Sequence, residues 1–552
     1  MRKLLIILFL LIGVTAHATK YYVSTTGNNA NPGTISQPWL TWAYAFTQPS
    51  PGDTVYFRGG VYMSTTGATG IRSINSGTAS DTIKYFAYPG EEPILDCDNV
   101  TSHISNLSHA IYATVNYVHF RGLTIRNVWM FDDDDEPFAW RLGGTHVILE
   151  QCKAYNTHGT GFRTSSSADE FYFINCDSWN HSDSLEIASP GNDGYGFGLW
   201  NTDNPTGRVY LRGCRAWNCG DDGFVMFSIG YVEIDSCWSF LNGQMLGGGD
   251  GYKIGFSPAV TENEILRRKI TNSMAAYNRH TGFNANDLND YPVNYMQLYN
   301  NIAYRNYDFT NDYAPEARGF ILYNTADSDP AELQRILRNN IAFGNTVNSG
   351  DVDFMLQTNA LYTGSNNTWN SGFSVSAADF VSLDSTGITG PRQADGSLPD
   401  LDFLKLSSTS DLIDAGIDVG LPYNGLAPDI GAYEYDVDSP SSATDILSFT
   451  LASQIGSEII NTTLHTVTVE VAYTADVSNL TPTITLSYGA TVIPLSGVAR
   501  NFTNPVPYTV TAEDGVTFQE WTVTVTQEAE PEEPPVETTG SIVKFNGKIV
   551  KR

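Results

Sequence analysis

The sequence predicts an all-β protein, a right-handed parallel β-helix followed by a small immunoglobulin-like β-sandwich. A phrase of cysteine, small residue, aromatic residue and asparagine returns along the first part of the chain, as in Cys176-Asp-Ser-Trp-Asn180 and Cys214-Arg-Ala-Trp-Asn218. Such a return is typical of a solenoid, in which each repeat forms one coil. Further on, strict alternation such as Val467-Thr-Val-Glu-Val471 replaces it. That pattern is typical of half-buried strands in a sandwich.

The chain begins with a predicted secretory signal peptide over residues 1–18. Arg2 and Lys3 form the charged start, an apolar run follows from Leu4 to Val14, and Ala16-His-Ala18 is the small-residue cleavage site. The apolar run is too short to span a bilayer, and no later stretch is long enough to do so. We therefore expect an exported protein, secreted or held at the cell surface.

Changes in composition divide the remaining chain into segments. We predict a β-helix domain over 19–435, a Ser/Pro/Asp linker over 436–443, an immunoglobulin-like sandwich over 444–527, an acidic Pro/Glu tether over 528–539 and a basic tail over 540–552. Within the β-helix domain, Trp39 to Phe46 is expected to form a short helix that caps the first coil. The basic tail is either a surface-attachment signal or an edge hairpin or loose end.

The charge balance limits the partners of this chain. It holds 60 acidic and 30 basic residues, a formal net charge of −30. Nucleic acid is not an expected partner, because phosphate binding needs a basic face. A polyanionic substrate requires metal ions or a local basic patch. We expect a monomer with no membrane span.

Two sets of residues are expected to stack from coil to coil. Four of the six cysteines occupy the same place in successive repeats, which predicts an inward ladder of buried thiols: Cys152, Cys176, Cys214 and Cys237. Cys97 and Cys219 fall outside that register. The turn asparagines are expected to stack as well, because asparagine tolerates the left-handed conformation: Asn156, Asn180, Asn218, Asn242 and Asn278.

An aspartate–glycine phrase occurs three times, with the aspartates Asp193, Asp222 and Asp250 separated by 29 and 28 residues. On adjacent coils, roughly 4.8 Å apart, these aspartates would form a carboxylate column beside Lys253. Because such a column repels itself, we expect a calcium site that also includes Asp221. Counting three residues on from each aspartate gives Gly196, Val225 and Lys253, which places Val225 one coil from Lys253. The alternative is that each aspartate merely caps a turn before glycine.

These phrases resemble a known family. Asn192-Asp-Gly194, Asp221-Asp-Gly-Phe224 and Gly249-Asp-Gly-Tyr-Lys253 are similar to those of the calcium-dependent polysaccharide lyases of family 9, which include pectate lyases and rhamnogalacturonan lyases. The resemblance covers roughly residues 20–435. It implies that Lys253 is the catalytic base and that calcium is held by Asp193, Asp221 and Asp222. The chain departs from the family at Val225, which stands where the family has an aspartate.

The resemblance also implies the substrate, a uronic-acid polysaccharide such as polygalacturonate, cleaved by β-elimination. Three arginines flank the recurring glycine–aromatic pairs Gly161-Phe162, Gly282-Phe283 and Gly319-Phe320. They are candidates to bind sugar carboxylates bidentately: Arg163, Arg279 and Arg318. The alternative is that these arginines are ordinary surface residues with no specific role.

Two other functions are compatible with a solenoid of this kind. A non-catalytic glycan-binding protein or surface adhesin would keep the coils and the aspartate turns. The valine at Val225, where the family has an aspartate, favours this function. A β-helix glycoside hydrolase would need two carboxylates at a set separation and no essential lysine. The phrase ending in Lys253 favours the lyase over both.

Overall fold

The computed structural model describes residues 18–102, 109–133, 135–185, 187, 190–245, 247–255, 265–286, 295–306, 318–323, 334–345, 352–357, 362–435, 443–487, 489–512 and 515–529. The predicted signal peptide (except residue 18), the linker up to residue 442, and the tether and tail from residue 530 lie outside these residues. The chain divides into two compact units at residues 435 and 436. Each unit is considered by itself.

The first unit is built from three long parallel sheets. Consecutive strands of the chain enter different sheets, and each strand pairs with the strands one coil before and after it. The first sheet contains 12 described strands, in order Lys20–Val23, Thr54–Phe57, Ile83–Ala87, Val118–Arg121, Thr145–Glu150, Asp169–Ile174, Arg208–Arg212, Tyr231–Asp235, Arg268–Thr271, Tyr295–Tyr299, Gln334–Arg338 and Thr363–Ser365.

The second and third sheets complete each coil. The second contains Gly60–Met63, Pro93–Asp96, Thr124–Val128, Lys153–Thr157, Asp177–Trp179, Arg215–Trp217, Trp238–Phe240, Met274–Ala276, Ile302–Tyr304 and Ile341–Phe343. The third contains His109–Thr114, Phe138–Gly143, Thr160–Thr164, Phe197–Asn201, Phe224–Ser228, Tyr252–Lys253, Thr281–Asn284, Arg318–Leu322 and Val352–Leu356. The predicted parallel β-helix is thus confirmed.

The core runs along the inside of the coils. On the third sheet, one inward aromatic ring stacks on the next at centroid separations of 4.6–5.0 Å, in the order Phe162, Phe197, Phe224, Tyr252, Phe283 and Phe320. The four ladder cysteines are completely buried in the same core, as predicted. All six cysteines lie in the described part of the chain, and all are free thiols.

The turn asparagines form two stacks rather than the single stack we expected. Asn156 and Asn180 belong to one, with an Asn180 Nδ2 to Asn156 Oδ1 distance of 3.5 Å. Asn242 and Asn278 belong to another, at 2.9 Å. In the later coils Leu241 takes the left-handed turn position (φ 57°) that Asn180 takes earlier (φ 56°). Trp217 pairs with Phe240, so Leu241 stands opposite Asn218 (φ 53°), and the asparagine of Cys237-Trp-Ser-Phe-Leu-Asn242 falls one position further along.

The start of the first unit and the outer face of its second sheet are covered. The predicted cap helix is short, from Trp42 to Ala45, with the Thr41 side chain as N-cap. Residues 371–435, which include the 3₁₀ turn Ala377–Asp379, pack on the outer face of the second sheet. Apolar side chains such as Phe403 and Leu412 cluster there with Trp217 and Tyr304. A second 3₁₀ turn, Gly67–Thr69, precedes the third sheet.

The second unit is a small β domain with its own core around Trp521 and Tyr508. One sheet pairs Ile446–Leu451 with Pro482–Leu486, and the other contains Ile459–Asn461, Thr466–Val471, Phe518–Gln527, Val506–Thr511 and Thr491–Ile493. The pairing is antiparallel except between Thr466–Val471 and Phe518–Gln527. No helix in the described part of either unit has the length and apolarity to cross a membrane.

Candidate active site

The outer face of the third sheet carries Lys253. Its strand neighbour Tyr252 points into the core, so the lysine side chain projects outward. Lys253 pairs with Val225 on the preceding coil and with Asn284 on the next. The register beyond Val225 differs from our count, because Val225 pairs with Gly198 and not with Gly196.

Asp222 anchors Lys253. It lies in the turn just before the strand Phe224–Ser228 and is completely buried. Its Oδ2 lies 3.1 Å from the Nζ of Lys253, and its Oδ1 accepts a hydrogen bond from the backbone N–H of Asp250 at 2.6 Å. The lysine side chain is only 20% exposed. The ion pair therefore holds the ammonium at a defined place on the sheet.

Asp221 lies beside this pair and is also completely buried. Its Oδ1 accepts hydrogen bonds from the backbone N–H groups of Gly248 and Gly249. Its Oδ2 is buried and receives no hydrogen bond from the residues that the structure describes. An unsatisfied buried carboxylate oxygen is costly unless a cation or another donor reaches it.

The glycines of Gly247-Gly-Gly-Asp-Gly251 allow this close approach. A Cβ on Gly248 would lie 2.9 Å from the Oδ1 of Asp221 and 2.9 Å from the Oδ1 of Asp222. Gly249 has φ +77°, a conformation that side chains rarely adopt. The local sequence is thus required for the turn that wraps the two carboxylates.

The carboxylates and the lysine shift one another's pKa values. Burial raises the pKa of the Asp221 carboxyl, and the charge of Asp222 raises it further. Burial acts against the charged form of Lys253, but the charges of Asp222, Asp221 and Asp250 outweigh it, so the pKa of the ammonium lies above its ordinary value. The surroundings therefore keep Lys253 protonated while the carboxylates are uncompensated.

Asp250 follows Asp222 in the column but turns to different partners. Its Oδ1 lies 2.8 Å from the Nδ1 of His280 and accepts the N–H of Thr281 at 3.1 Å. Its Oδ2 accepts a hydrogen bond from the Asn284 side chain at 2.7 Å. Burial raises its pKa, but the charge of His280 outweighs this, and the pKa lies below its ordinary value. Both oxygens of Asp250 are thus already satisfied by protein groups.

Asp193 is displaced from the column. Phe197 follows Asp193 by four residues and pairs with Phe224, which follows Asp222 by only two. Asp193 nevertheless lies near Asp221, because the carbonyl of the adjacent Gly194 accepts the N–H of Asp221 at 3.3 Å. Burial raises the pKa of the Tyr195 hydroxyl, and the charges of Asp221, Asp193 and Asp222 raise it further. Sequence reasoning missed Tyr195, which carries no signal beyond its place after Gly194.

The three candidate arginines lie in different surroundings. Arg163 lies on the outer face of the third sheet, over the rings of Phe138 and Trp200 at 4.5 and 4.3 Å. Arg279 is buried, and its guanidinium donates to the carbonyl of Met245. Arg318 is buried too, with Nε 2.8 Å from the sulfur of Met355. The structure brings Arg163 alone of the three to the open face.

The donor set suits a hard cation. Carboxylate oxygens are the ligands that calcium prefers, and Asp221 Oδ2 lacks a partner among the described residues. Within the same residues, no group of three or more His, Cys, Asp and Glu side chains is arranged to hold a metal ion by itself. Asp221 and Asp222 therefore fit as part of a cation site that remains open to other ligands.

Comparison with known proteins places the first unit in a family. The family model described as "Pel9A-like, right handed beta helix region" matches residues 21–340. The chain belongs to the Pel9A-like family. The resemblance to polysaccharide lyase family 9, and with it the predicted class of polysaccharide lyase, is confirmed at the level of the family.

Relatives in the Pel9A-like family span most of the chain. Pectate lyase L of Dickeya dadantii (strain 3937) is 28% identical over 426 residues, 75% of this chain and 90% of the relative. Pectate lyase PEL9 of Emericella nidulans is 26% identical over 421 residues, 70% of this chain and 92% of the relative. A second family model, described as "SGBP, N-terminal", matches residues 446–525 in the second unit.

Solved structures share the fold. The crystal structure of pectate lyase Pel9A has a TM-score of 0.58 at 24% identity and covers 76% of this chain and 96% of its own. A rhamnogalacturonan lyase has a TM-score of 0.53 at 23% identity and covers 71% of this chain and 97% of its own. Together with the family model, these likenesses confirm the right-handed parallel β-helix.

Proposed function

We propose that this protein is a calcium-dependent polysaccharide lyase that cleaves a pectate-like uronate polysaccharide by β-elimination, with Lys253 as the base. The observation that carries the proposal is the contact between Lys253 Nζ and Asp222 Oδ2 at 3.1 Å, beside the unpartnered Oδ2 of Asp221. The pectate lyases among its relatives support the substrate class. We infer that the protein acts outside the cell, where such polymers occur.

Asp221 and Asp222 would hold the cation, with Asp193 as a further ligand. When bound, calcium would neutralise the uronate carboxylate and offset the aspartate charges that keep Lys253 protonated. We do not include Asp250, because both of its oxygens bind groups of the next coil, His280, Thr281 and Asn284, whereas Asp222 faces Lys253 beside Asp221. Val225 supplies no ligand at the position next to Lys253.

Lys253 then performs the proton transfer. The C5–H bond of the uronate breaks, and the proton moves to the free amine of Lys253. The electron pair forms the C4–C5 double bond, the C4–O bond breaks, and the departing glycosidic oxygen takes a proton from water. Asp222 positions the amine for this step, with its Oδ2 3.1 Å from Nζ, and the backbone N–H of Asp250 fixes the Asp222 carboxylate in turn.

Arg163 is the substrate-binding arginine in this proposal. Its guanidinium lies on the same face of the sheet as Lys253, and its side chain is 15% exposed. We leave Arg279 and Arg318 out of the substrate contacts, because both are buried and their guanidinium groups donate to Met245 and Met355.

The test is incubation of the purified protein with a panel of uronate polysaccharides, with and without calcium. Unsaturated products, followed by ultraviolet absorbance, are expected with calcium and absent after chelation. The competing function is a non-catalytic glycan-binding protein, which the missing carboxylate at Val225 favours. Glycan binding without unsaturated product from any member of the panel would support that function instead.

A further inference from the structure

One line of outward residues on the third sheet continues from Lys253 toward the start of the chain. Pairing places Gly198, Val225 and Lys253 on successive coils. Arg163 pairs with Gly198 and with Arg141, and Arg141 pairs with Tyr112. At roughly 4.8 Å a coil, Arg141 lies about 19 Å from Lys253 along the sheet.

Aromatic rings fill the spaces between the guanidinium groups of this line. The Arg141 guanidinium carbon lies 4.5 Å from the centroid of Tyr112 and 5.2 Å from that of Phe138. The Arg163 carbon lies 4.5 Å from Phe138 and 4.3 Å from Trp200. Trp200 covers Gly198, where a Cβ would lie 2.8 Å from its ring. Arg72 extends the series, 4.6 Å from Tyr112.

We infer that this alternating series, Arg72, Tyr112, Arg141, Phe138, Arg163 and Trp200, is an extended binding surface for the part of an acidic sugar chain that lies beyond the reacting residue. We call it the arginine–aromatic track. The inference rests on the proposed function, because that function supplies the chain of carboxylates. It adds Arg141, Arg72 and the aromatic residues to the recognition of that chain.

The chemistry of the track fits an anionic glycan. A guanidinium held flat between rings keeps its N–H edge for a carboxylate, in the bidentate geometry that lysine cannot provide. Among the described residues, the carboxylate of Glu136 lies 3.3 Å from Arg163 of the track, with its side chain 55% exposed.

The track also explains how a chain of net charge −30 can hold an acidic polymer. Arg72, Arg141 and Arg163 place positive charge along one line of the first unit, where sugar carboxylates would meet them at contact distance and salt screens least. Because the track lies on one side of Lys253, it contacts several sugar residues of a long chain and none of a short one. We therefore expect the track to act on affinity for long chains.

The experiment compares binding of trigalacturonate and octagalacturonate to the Lys253→Ala protein, in which no turnover disturbs the measurement. Adding Arg141→Gln should weaken binding of the octamer about tenfold, as expected for one lost hydrogen-bonded charge contact, and that of the trimer less than about twofold. Arg141→Lys should recover only part of the loss. The matched control is Arg212→Gln, a 78% exposed arginine on the first sheet, which should change neither affinity.

The outcomes separate the track from the function on which it rests. If Arg141→Gln leaves octamer binding unchanged, the inferred role of the track is wrong. It is also wrong if the affinities for trimer and octamer fall by the same factor in a protein that unfolds at the parental temperature. A methyl-esterified octamer that binds as well as the acidic one would also contradict it. Failure of both oligomers to bind the Lys253→Ala protein would overturn the proposed substrate itself, before Arg141 is changed.

Discussion

The ammonium of Lys253 lies 3.1 Å from the Oδ2 of Asp222, and the same aspartate receives the N–H of Asp250 through its other oxygen. One buried carboxylate thus connects three consecutive elements of the site: its own turn, the next turn and the outward lysine. A base held this way is pre-organised, but it is also held in its protonated form. The proposed cation resolves that conflict, and the predictions below follow from it.

The first prediction is that activity rises with pH. Burial lowers the pKa of Lys253, but Asp222, Asp221 and Asp250 raise it above its ordinary value. The amine is the reactive form, so the reactive fraction is small at neutral pH and grows as the pH increases. Initial rates in calcium, measured from neutral to alkaline pH, should increase. Rates that fall over that range while the protein stays folded would contradict the assignment.

The second prediction concerns Asp221→Asn. The change removes a charged oxygen from the proposed cation site, so calcium affinity measured by titration calorimetry should fall at least about tenfold. Burial and Asp222 raise the pKa of Asp221 above its unfolded value, so its charge costs stability at neutral pH. Without calcium the variant should therefore unfold at the parental temperature or higher.

The control for that experiment is Asp203→Asn, an exposed aspartate in the loop after the strand Phe197–Asn201. It removes the same formal charge far from any buried carboxylate and should leave calcium affinity unchanged. Equal affinities in the Asp221→Asn protein and the parent would exclude Asp221 as a ligand.

The third prediction concerns Gly248→Ala. The new methyl group would lie 2.9 Å from the Oδ1 atoms of both Asp221 and Asp222. Because the backbone there is hydrogen-bonded to Asp221, the carboxylates must move. Calcium affinity and turnover should fall together, with a destabilisation of about 1–3 kcal/mol, the usual cost of overpacking. Chemical denaturation and calorimetry check this; unchanged calcium affinity would mean that the two carboxylates do not form the site.

The fourth prediction concerns the segment that covers the second sheet. Arg215 donates to Asp177 at 2.8 and 2.9 Å, and Arg392 of the covering segment donates to it at 2.7 and 3.1 Å. Asp177→Asn leaves two buried guanidinium groups uncompensated and should destabilise the first unit by about 3–5 kcal/mol at neutral pH. A loss below about 1 kcal/mol in denaturant titration would contradict this.

Asp177 should also make the stability of the first unit depend on pH. Burial raises the pKa of Asp177, but hydrogen bonds and charge from Arg215 and Arg392 outweigh it, and the pKa lies below its ordinary value. Its contribution is therefore complete above the unfolded pKa of about 3.9 and is lost as the pH falls through the lower native value. The stability difference between parent and Asp177→Asn should shrink only in that acid range.

Much of the fold was predictable from the sequence, because each coil requires particular residue types at fixed positions and these recur along the chain. The cysteines and the glycine–aromatic pairs keep a constant place on their strands, so they reveal the register. The Val225–Lys253 pairing was predictable because the intervals from Asp222 to Phe224 and from Asp250 to Tyr252 are equal.

What was not predictable depends on turn lengths and on contacts between coils. The turn after Asp193 is two residues longer than its counterparts, although Asp193-Gly-Tyr195 looks like the later phrases, so Asp193 leaves the column. Leu241 takes the turn position of Asn218, with the asparagine one position later at Asn242, and this divides the asparagine stack. The pairing of Asp250 with His280, 30 residues away, has no local signal. Neither does the alternation of Arg141, Phe138 and Arg163, which arises only when coils stack.

The most direct test is turnover by Lys253→Ala, measured by ultraviolet absorbance with polygalacturonate and calcium. The fold should persist, because the side chain lies on the outer face of its strand. The account predicts that the rate falls by about 10²–10⁴, as for a lost general base. The matched control, Lys269→Ala, breaks an outward lysine–glutamate pair of 3.2 Å on the first sheet and should retain the parental rate. A Lys253→Ala protein as active as the parent would contradict the proposed mechanism.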